Sequence, residues 1–212
     1  MRVPPTMVEN RKAHWDQVYS KKSPEDLTWY QARPEVSLAL IERAGLAREA
    51  RIIDVGGGTS HLTTFLLEGG YQDLSVLDLS DTALELARQS LGSLGSEVKW
   101  YGADVTEFEP PHRWDLWHDR AVFHFLTEKN DRDGYCRVLE EAVEPGGHVV
   151  IATFGPDGPK RCSGLEVRRY SPQSLQAELG GKYELRGSMN ETHRTPAGGT
   201  QEFVYSWFQK VL

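Results

Sequence analysis

Three consecutive glycines, Gly56, Gly57 and Gly58, follow directly on the apolar stretch Arg51-Ile52-Ile53-Asp54-Val55, and Asp78 closes the next apolar run, Leu74 to Leu77. This spacing constrains the chain more than any other feature. It reads as a strand, a glycine turn, a helix and a second strand tipped by a carboxylate. A turn without side chains lets a ligand lie against the backbone, and the helix behind it presents unpaired N–H groups. The carboxylate can accept hydrogen bonds from ribose hydroxyls. Together these predict an α/β sheet that holds a nucleoside-bearing ligand, although a glycine turn can be a tight connection only and Asp78 can simply cap a helix.

With 212 residues, 39% hydrophobic and 26% charged, the chain has material for one substantial core. We divide it into an N-terminal extension, residues 1–33, and a single domain, residues 34–212. A net charge of −7 opposes attraction to nucleic acid or to an anionic membrane, so neither partner is expected. No stretch approaches the roughly 20 apolar residues of a membrane helix. The start, Met1-Arg2-Val3-Pro4-Pro5, lacks the apolar core of a signal peptide, which points to the cytoplasm. Cys136 and Cys162 have no CxxC or His-rich spacing around them, so no disulfide framework and no metal site is expected.

The residues up to Arg33 are polar and interrupted, yet hold Trp15, Tyr19, Trp29 and Tyr30. Pro34, with Val36, Leu40 and Ala44 at four-residue spacing, predicts a helix ending near Gly45. Leu62, Phe65 and Leu66 share a helical face that Gly69-Gly70 closes. Ser80 is placed to cap a helix striped by Leu84, Ala87 and Leu91, and Val98 to Tyr101 reads as a third strand. Trp114 to His118 follows as a fourth, then a helix after Thr127 bearing Tyr135, Val138, Leu139 and Ala142 on one face. Glu144-Pro145-Gly146-Gly147 is read as a turn before strand His148 to Phe154, and Ser171-Pro172 as the start of a short helix. Tyr183 to Met189 and Glu202 to Phe208, with only a turn-rich stretch between them, predict an antiparallel hairpin.

Read in order, these landmarks resemble the class I S-adenosylmethionine-dependent methyltransferases. Asp54-Val55-Gly56-Gly57-Gly58-Thr59-Ser60 is similar to their first motif, Asp78-Leu79 to the ribose-binding acid after strand two, and Gly102-Ala103-Asp104-Val105 to the adenine contact after strand three. Glu144-Pro145-Gly146-Gly147-His148 is similar to the turn before their fifth strand. The resemblance implies a doubly wound, mostly parallel seven-stranded sheet with helices on both faces and a C-terminal antiparallel hairpin. It also implies S-adenosyl-L-methionine as cofactor and S-adenosyl-L-homocysteine as product. Asp54, Gly56, Gly57, Gly58, Thr59, Asp78, Leu79, Asp104 and Val105 would hold the cofactor, and Asp104 could alternatively begin a turn. A dinucleotide fingerprint would place a third glycine where His61 stands, and no tyrosine is followed four residues later by lysine. Hydride transfer is therefore a distant alternative.

Methyl transfer from a sulfonium is an in-line displacement that needs alignment and exclusion of water more than covalent help. The segment His118-Asp119-Arg120-Ala121-Val122-Phe123-His124 leaves strand four where relatives place acceptor and methionine contacts, so Asp119 and His124 are the catalytic candidates. The alternative is that His118 and His124 are core histidines beside Trp117 and Phe123, with Arg120 paired to Asp119. Tyr19 and Trp29 are expected near the cofactor, with Trp15 and Tyr30 near the substrate. These aromatics either form a lid over a cation or pack on the sheet. Arg120, Cys162 and His193 complete the substrate set, with Lys160-Arg161 and Arg168-Arg169 as further basic islands in an acidic chain. The acceptor is expected to be a small molecule; protein lysine methylation and a non-catalytic nucleoside-binding module are the alternatives.

Overall fold

The computed structural model describes residues 7–211; the first six residues of the extension and Leu212 lie outside them. Strands β1 (Arg51–Val55), β2 (Asp73–Asp78), β3 (Val98–Gly102), β4 (Trp114–Arg120) and β5 (Val143–Phe154) are followed by a small ribbon, β6 (Arg161–Cys162) and β7 (Leu165–Glu166). The long strands β8 (Tyr183–Arg194) and β9 (Thr200–Lys210) end the chain. The helices are α1 (Met7–Lys21), α2 (Glu35–Arg43), α3 (Leu62–Glu68), α4 (Asp81–Leu91), α5 (Lys129–Ala142) and α6 (Pro172–Leu179).

Seven strands form one sheet in the order β3-β2-β1-β4-β5-β9-β8. The first five are parallel, and β9 runs antiparallel between β5 and β8. The doubly wound sheet with its terminal hairpin is thus present as expected. Strand alternation divides the core. Ile53, Val55, Trp117 and Ile151 face Tyr135, Val138 and Leu139 of α5 and Leu175 of α6, while Ile52, Leu74 and Val76 face Ile41, Leu62, Leu66 and Leu84 of α2, α3 and α4. Successive elements wind outward from β1 in one direction and from β4 in the other. The crevice at their carboxyl ends is where such sheets bind ligands.

Local chemistry sets several boundaries. Ser80 Oγ accepts from the Ala83 amide at 3.1 Å and starts α4, and Ser171 with Ser174 forms a reciprocal cap on α6. The structure departs from the sequence reading in three places. Residues Met7–Lys21 are helical where the sequence suggested an interrupted polar segment. Glu144-Pro145-Gly146-Gly147 is not a turn outside the sheet; it lies within β5 as an irregularity, the register shifting between Trp114 and Leu116 of β4. The terminal strands run further than the apolar patterning, to Arg194 and Lys210, because backbone pairing does not require apolar side chains, and polar His193 and Lys210 are buried there.

Candidate functional site

The carboxyl ends of β1, β2, β3 and β4 and the inner face of α1 border a cleft of about 810 Å³, the solvent in its open mouth included. Arg11, Trp15 and Tyr19, one helical turn apart on α1, line it together with Trp29, Gly56, Asp78, Leu79, Asp104, Val105, Arg120 and Cys162. A second cavity of about 490 Å³ shares Trp29, Gly56 and Arg120 with the cleft and adds Tyr30, Asp54, Gly57, Thr59 and His118. Most residues singled out in the sequence therefore meet at one place.

The glycine turn is shaped by what crowds it. Gly56 has φ +64°, and a Cβ there would lie 2.0 Å from Val122 Cγ2. A Cβ on Gly58 would lie 2.6 Å from the Tyr19 hydroxyl, and one on Gly57 2.8 Å from Asp54 Oδ2. Only glycine permits this backbone to approach both α1 and the strand ends. Asp54 is buried, with Oδ1 2.7 Å from His118 Nδ1, while His118 Nε2 lies 2.9 Å from Ser37 Oγ. Its other oxygen, Oδ2, is buried without a hydrogen-bond partner. An unpaired carboxylate oxygen on a cavity wall suits a cationic donor such as the ammonium of a methionine group.

Asp78 is 8% exposed. Burial pushes its carboxyl up to about 7, with Asp54 and Asp16 adding to the rise and the amides of Ser80 and Gly58 opposing it. The Ser80 amide donates to Oδ1 at 2.8 Å. Vicinal hydroxyls donating to this group would relieve its desolvation. Asp104 Oδ1 accepts from the Thr106 amide and hydroxyl at 2.9 and 2.7 Å. Its Oδ2 accepts from Arg11 Nη2 at 2.9 Å, and Arg11 Nη1 reaches Asp131 at 2.8 Å. Lys12 pairs with Asp81, and Asp16 accepts from Ser80 Oγ. Polar contacts thus fasten α1 across the ends of β2 and β3, while Tyr19, Leu27 and Ala83 bury its underside.

The two catalytic candidates stand behind the cleft wall. Asp119 is fully buried, accepting from the amides of Val122 and Phe123 at 2.9 and 3.1 Å and from the Tyr135 hydroxyl at 2.8 Å. Burial raises its carboxyl to about 6. It braces the turn in which Ala121 takes φ +70°, a conformation costly for a residue with a Cβ. Arg120 is not its partner. His124 is also fully buried, between Phe154 and Phe125 at 4.8 and 4.5 Å. Burial and Arg120 lower it to about 3, so it is neutral. Strand alternation is the reason: His118 and Arg120 share one side of β4, and Asp119 takes the other.

Arg120 instead ties three segments together. Its Nε donates to the Tyr205 hydroxyl at 2.8 Å and Nη1 to the Trp29 carbonyl at 3.0 Å, while the guanidinium lies 4.5 Å from the Phe203 ring centre. Nη2 has no hydrogen-bond partner and stands 3.7 Å from Glu191. His193 lies outside the cleft lining, donating from Nε2 to the Thr28 carbonyl at 2.8 Å. Tyr30 packs edge-on to His61 on the rim of the second cavity. Arg11, Phe125 and Leu126 belong to the cleft and were not singled out, while Ala121 and Val122 entered only as part of the segment after strand four. The four-residue spacing of Arg11, Trp15 and Tyr19 was the available signal for Arg11.

A family model described as a methyltransferase domain matches residues 52–147. A malonyl-[acyl-carrier protein] O-methyltransferase from Paenibacillus sp. (strain JDR-2) is 29% identical over 130 residues, which cover 58% of this chain and 46% of that one. The chain thus spans about half the length of the curated relatives it matches. Among solved structures, one from work on conversion of a disulfide bond into a thioacetal group during echinomycin biosynthesis superposes with TM-score 0.76 at 21% identity, covering 95% of this chain and 92% of that one. The 1,6-didemethyltoxoflavin-N1-methyltransferase of Burkholderia thailandensis, solved with 1,6-didemethyltoxoflavin and S-adenosylhomocysteine, gives TM-score 0.69 at 19% identity over 100% of this chain and 94% of the other.

Proposed function

We propose that the chain, which matches a methyltransferase domain over residues 52–147, is a class I S-adenosylmethionine-dependent methyltransferase that moves the methyl group of S-adenosylmethionine by in-line displacement to a small-molecule acceptor, releasing S-adenosylhomocysteine. One observation carries the reading. Two buried acids flank the glycine turn, and each lacks what a nucleoside with a methionine tail offers: Asp54 Oδ2 has no donor, and Asp78 is held at about 7 by burial.

In this reading Asp78 takes the ribose hydroxyls, and Asp104, Val105 and Leu79 form the adenine end. The backbone of Gly56, Gly57, Gly58 and Thr59 runs along the methionine portion, whose ammonium meets Asp54 Oδ2. Tyr19 and Trp29 turn aromatic faces toward the sulfonium, a favourable setting for a cation. The extension serves as a lid: α1 roofs the cleft, excludes water and limits the acceptor to something small. Asp119 and His124 act through the wall that they brace. A cytoplasmic setting belongs to the same reading, supported by two unpaired cysteines. Among the described residues no helix is long and apolar enough to cross a membrane.

Calorimetry with S-adenosylmethionine and S-adenosylhomocysteine tests the cofactor. Dissociation constants below about 0.1 mM are expected, and a folded sample that binds neither at millimolar ligand would reject it.

A further inference from the structure

We propose that the acceptor is a small anion with an apolar or aromatic body, bound by Arg120 and methylated on an atom that arrives already deprotonated. The inference rests on the methyltransferase reading and names the substrate class for that site.

With the adenosine end assigned to Asp78, Leu79, Asp104 and Val105, the rest of the cleft is walled by Trp15, Trp29, Phe125, Leu126, Cys162 and Arg120. Trp15 stands edge-on to Phe125 at 5.0 Å and to Trp29 at 5.8 Å, a surface for a flat apolar group. The charge at this end is Arg120, whose side chain is 10% exposed. Tyr205 and the Trp29 carbonyl fix its plane, leaving Nη2 with the ion pair to Glu191 but no hydrogen bond. The facing groups are Glu191 of β8 at 3.7 Å, itself accepting from Tyr205 and Gln31, and the thiol of Cys162 on β6. A buried guanidinium nitrogen that has an ion pair but no hydrogen bond is under-satisfied, and an acceptor oxyanion or thiolate would supply the missing bond.

The second observation is the absence of a base. Among the described residues lining the cleft, the acids are Asp78 and Asp104, both at the cofactor end. Tyr19 and Cys162 are pushed upward by burial, so both stay protonated near neutrality. Asp119 and His124 lie behind the wall. An ammonium acceptor would have to shed a proton beside Arg120 with no base on the cleft lining at that end to take it. An anionic acceptor needs none. Its lone pair forms the bond to the methyl carbon as the carbon–sulfur bond breaks and that pair returns to sulfur. The acceptor's negative charge and the sulfonium's positive charge cancel, and no proton moves. A dry, roofed cleft favours such charge annihilation, because dispersed charge needs less solvation than the separated ions.

The experiment uses the full chain with methyl-labelled cofactor and a small-molecule extract separated beforehand into anion-retained, cation-retained and neutral fractions. Label is expected in products of the anion-retained fraction. Label mainly in amines from the cation-retained fraction, or in neutral compounds, overturns the inference while leaving the methyltransferase reading intact. Label in no fraction from protein that binds S-adenosylhomocysteine overturns both transfer and inference. With the labelled acceptor in hand, Arg120→Gln should raise its KM at least tenfold and Arg120→Lys restore part of the loss, with the S-adenosylhomocysteine Kd within twofold of wild type. A shift in that Kd with acceptor KM unchanged gives Arg120 to the cofactor and sinks the proposal. The wild-type protein supplies a check independent of folding: at saturating cofactor, kcat/KM should follow the acceptor's own ionisation, and a further enzyme-derived base limb would count against it.

Discussion

Asp78→Asn should make the protein more stable and a worse binder of its cofactor. An acid whose folded value exceeds its unfolded one binds more protons folded than unfolded, so its contribution to stability falls as pH rises between the two values and stays low above them. For Asp78 the two values are 3.8 and about 7. At about 1.4 kcal/mol for each pH unit between them, ionising it at pH 8 costs the folded state about 4 kcal/mol. Asparagine fills the same space, can still accept from the Ser80 amide and never ionises. The variant should gain about 2 to 4 kcal/mol at pH 8, raising Tm by roughly 4 to 16 °C at about 2 to 4 °C per kcal/mol for a chain this long. At pH 4, where most of the wild-type penalty has gone, the gain should shrink below about 1 kcal/mol. Thermal unfolding without ligand at the two pH values measures this directly. Binding should move the other way: S-adenosylhomocysteine affinity falls by about 1.5 to 3 kcal/mol through lost charge-assisted hydrogen bonds. Equal Tm shifts at pH 4 and pH 8, or a loss of stability at pH 8, would refute the desolvation argument. An unchanged Kd would remove Asp78 from the ribose.

The same group makes wild-type binding depend on pH. Hydroxyls that donate to Asp78 favour its ionised form, so cofactor affinity should rise with pH up to about 7 and level off above it; calorimetry at pH 6.5 in buffers of different ionisation enthalpy should register proton release. Tyr135→Phe removes the donor to Asp119 and the acceptor of the Trp117 indole N–H at 2.9 Å. Two buried groups lose partners, and urea unfolding should show a loss of about 2 to 4 kcal/mol. Gly56→Ala meets both the positive φ and Val122; it should cost at least about 1 to 2 kcal/mol, with unchanged stability arguing that the turn is looser than described.

The sheet was legible because its signals are local: strand, glycine, helix and acid recur at spacings that backbone geometry imposes. Asp54, Asp78 and Asp104 came with it, since each sits at a strand end. The helix α1 was hidden because much of what it buries, Arg11, Trp15 and Tyr19, faces a cleft rather than an apolar core, so its face carries charge and aromatic rings instead of aliphatic residues. Asp119 and His124 attracted attention for their chemistry, whereas side-chain direction decides their use. Alternation along β4 separates Asp119 from Arg120, and His124 belongs to a single 3-10 turn, Phe123–Phe125, that folds it beneath Phe154 and Phe203. The contact of Arg120 with β9 joins residues 85 apart, and a single chain offers no signal for it.

The fastening of α1 has a kinetic consequence. Arg11 occupies the Asp104 oxygen that, in the proposed reading, an incoming adenine would seek, so arrival of the nucleoside and fastening of the roof compete for one atom. Turnover in that reading includes a helix-opening step on entry and again on product departure, each against exposed and part-buried ion pairs that dissolved salt weakens. In the proposed reading ionic strength becomes a rate variable for this protein, acting on the coming and going of the cofactor through the pairs that fasten α1 and not through the buried Asp54 and Asp78.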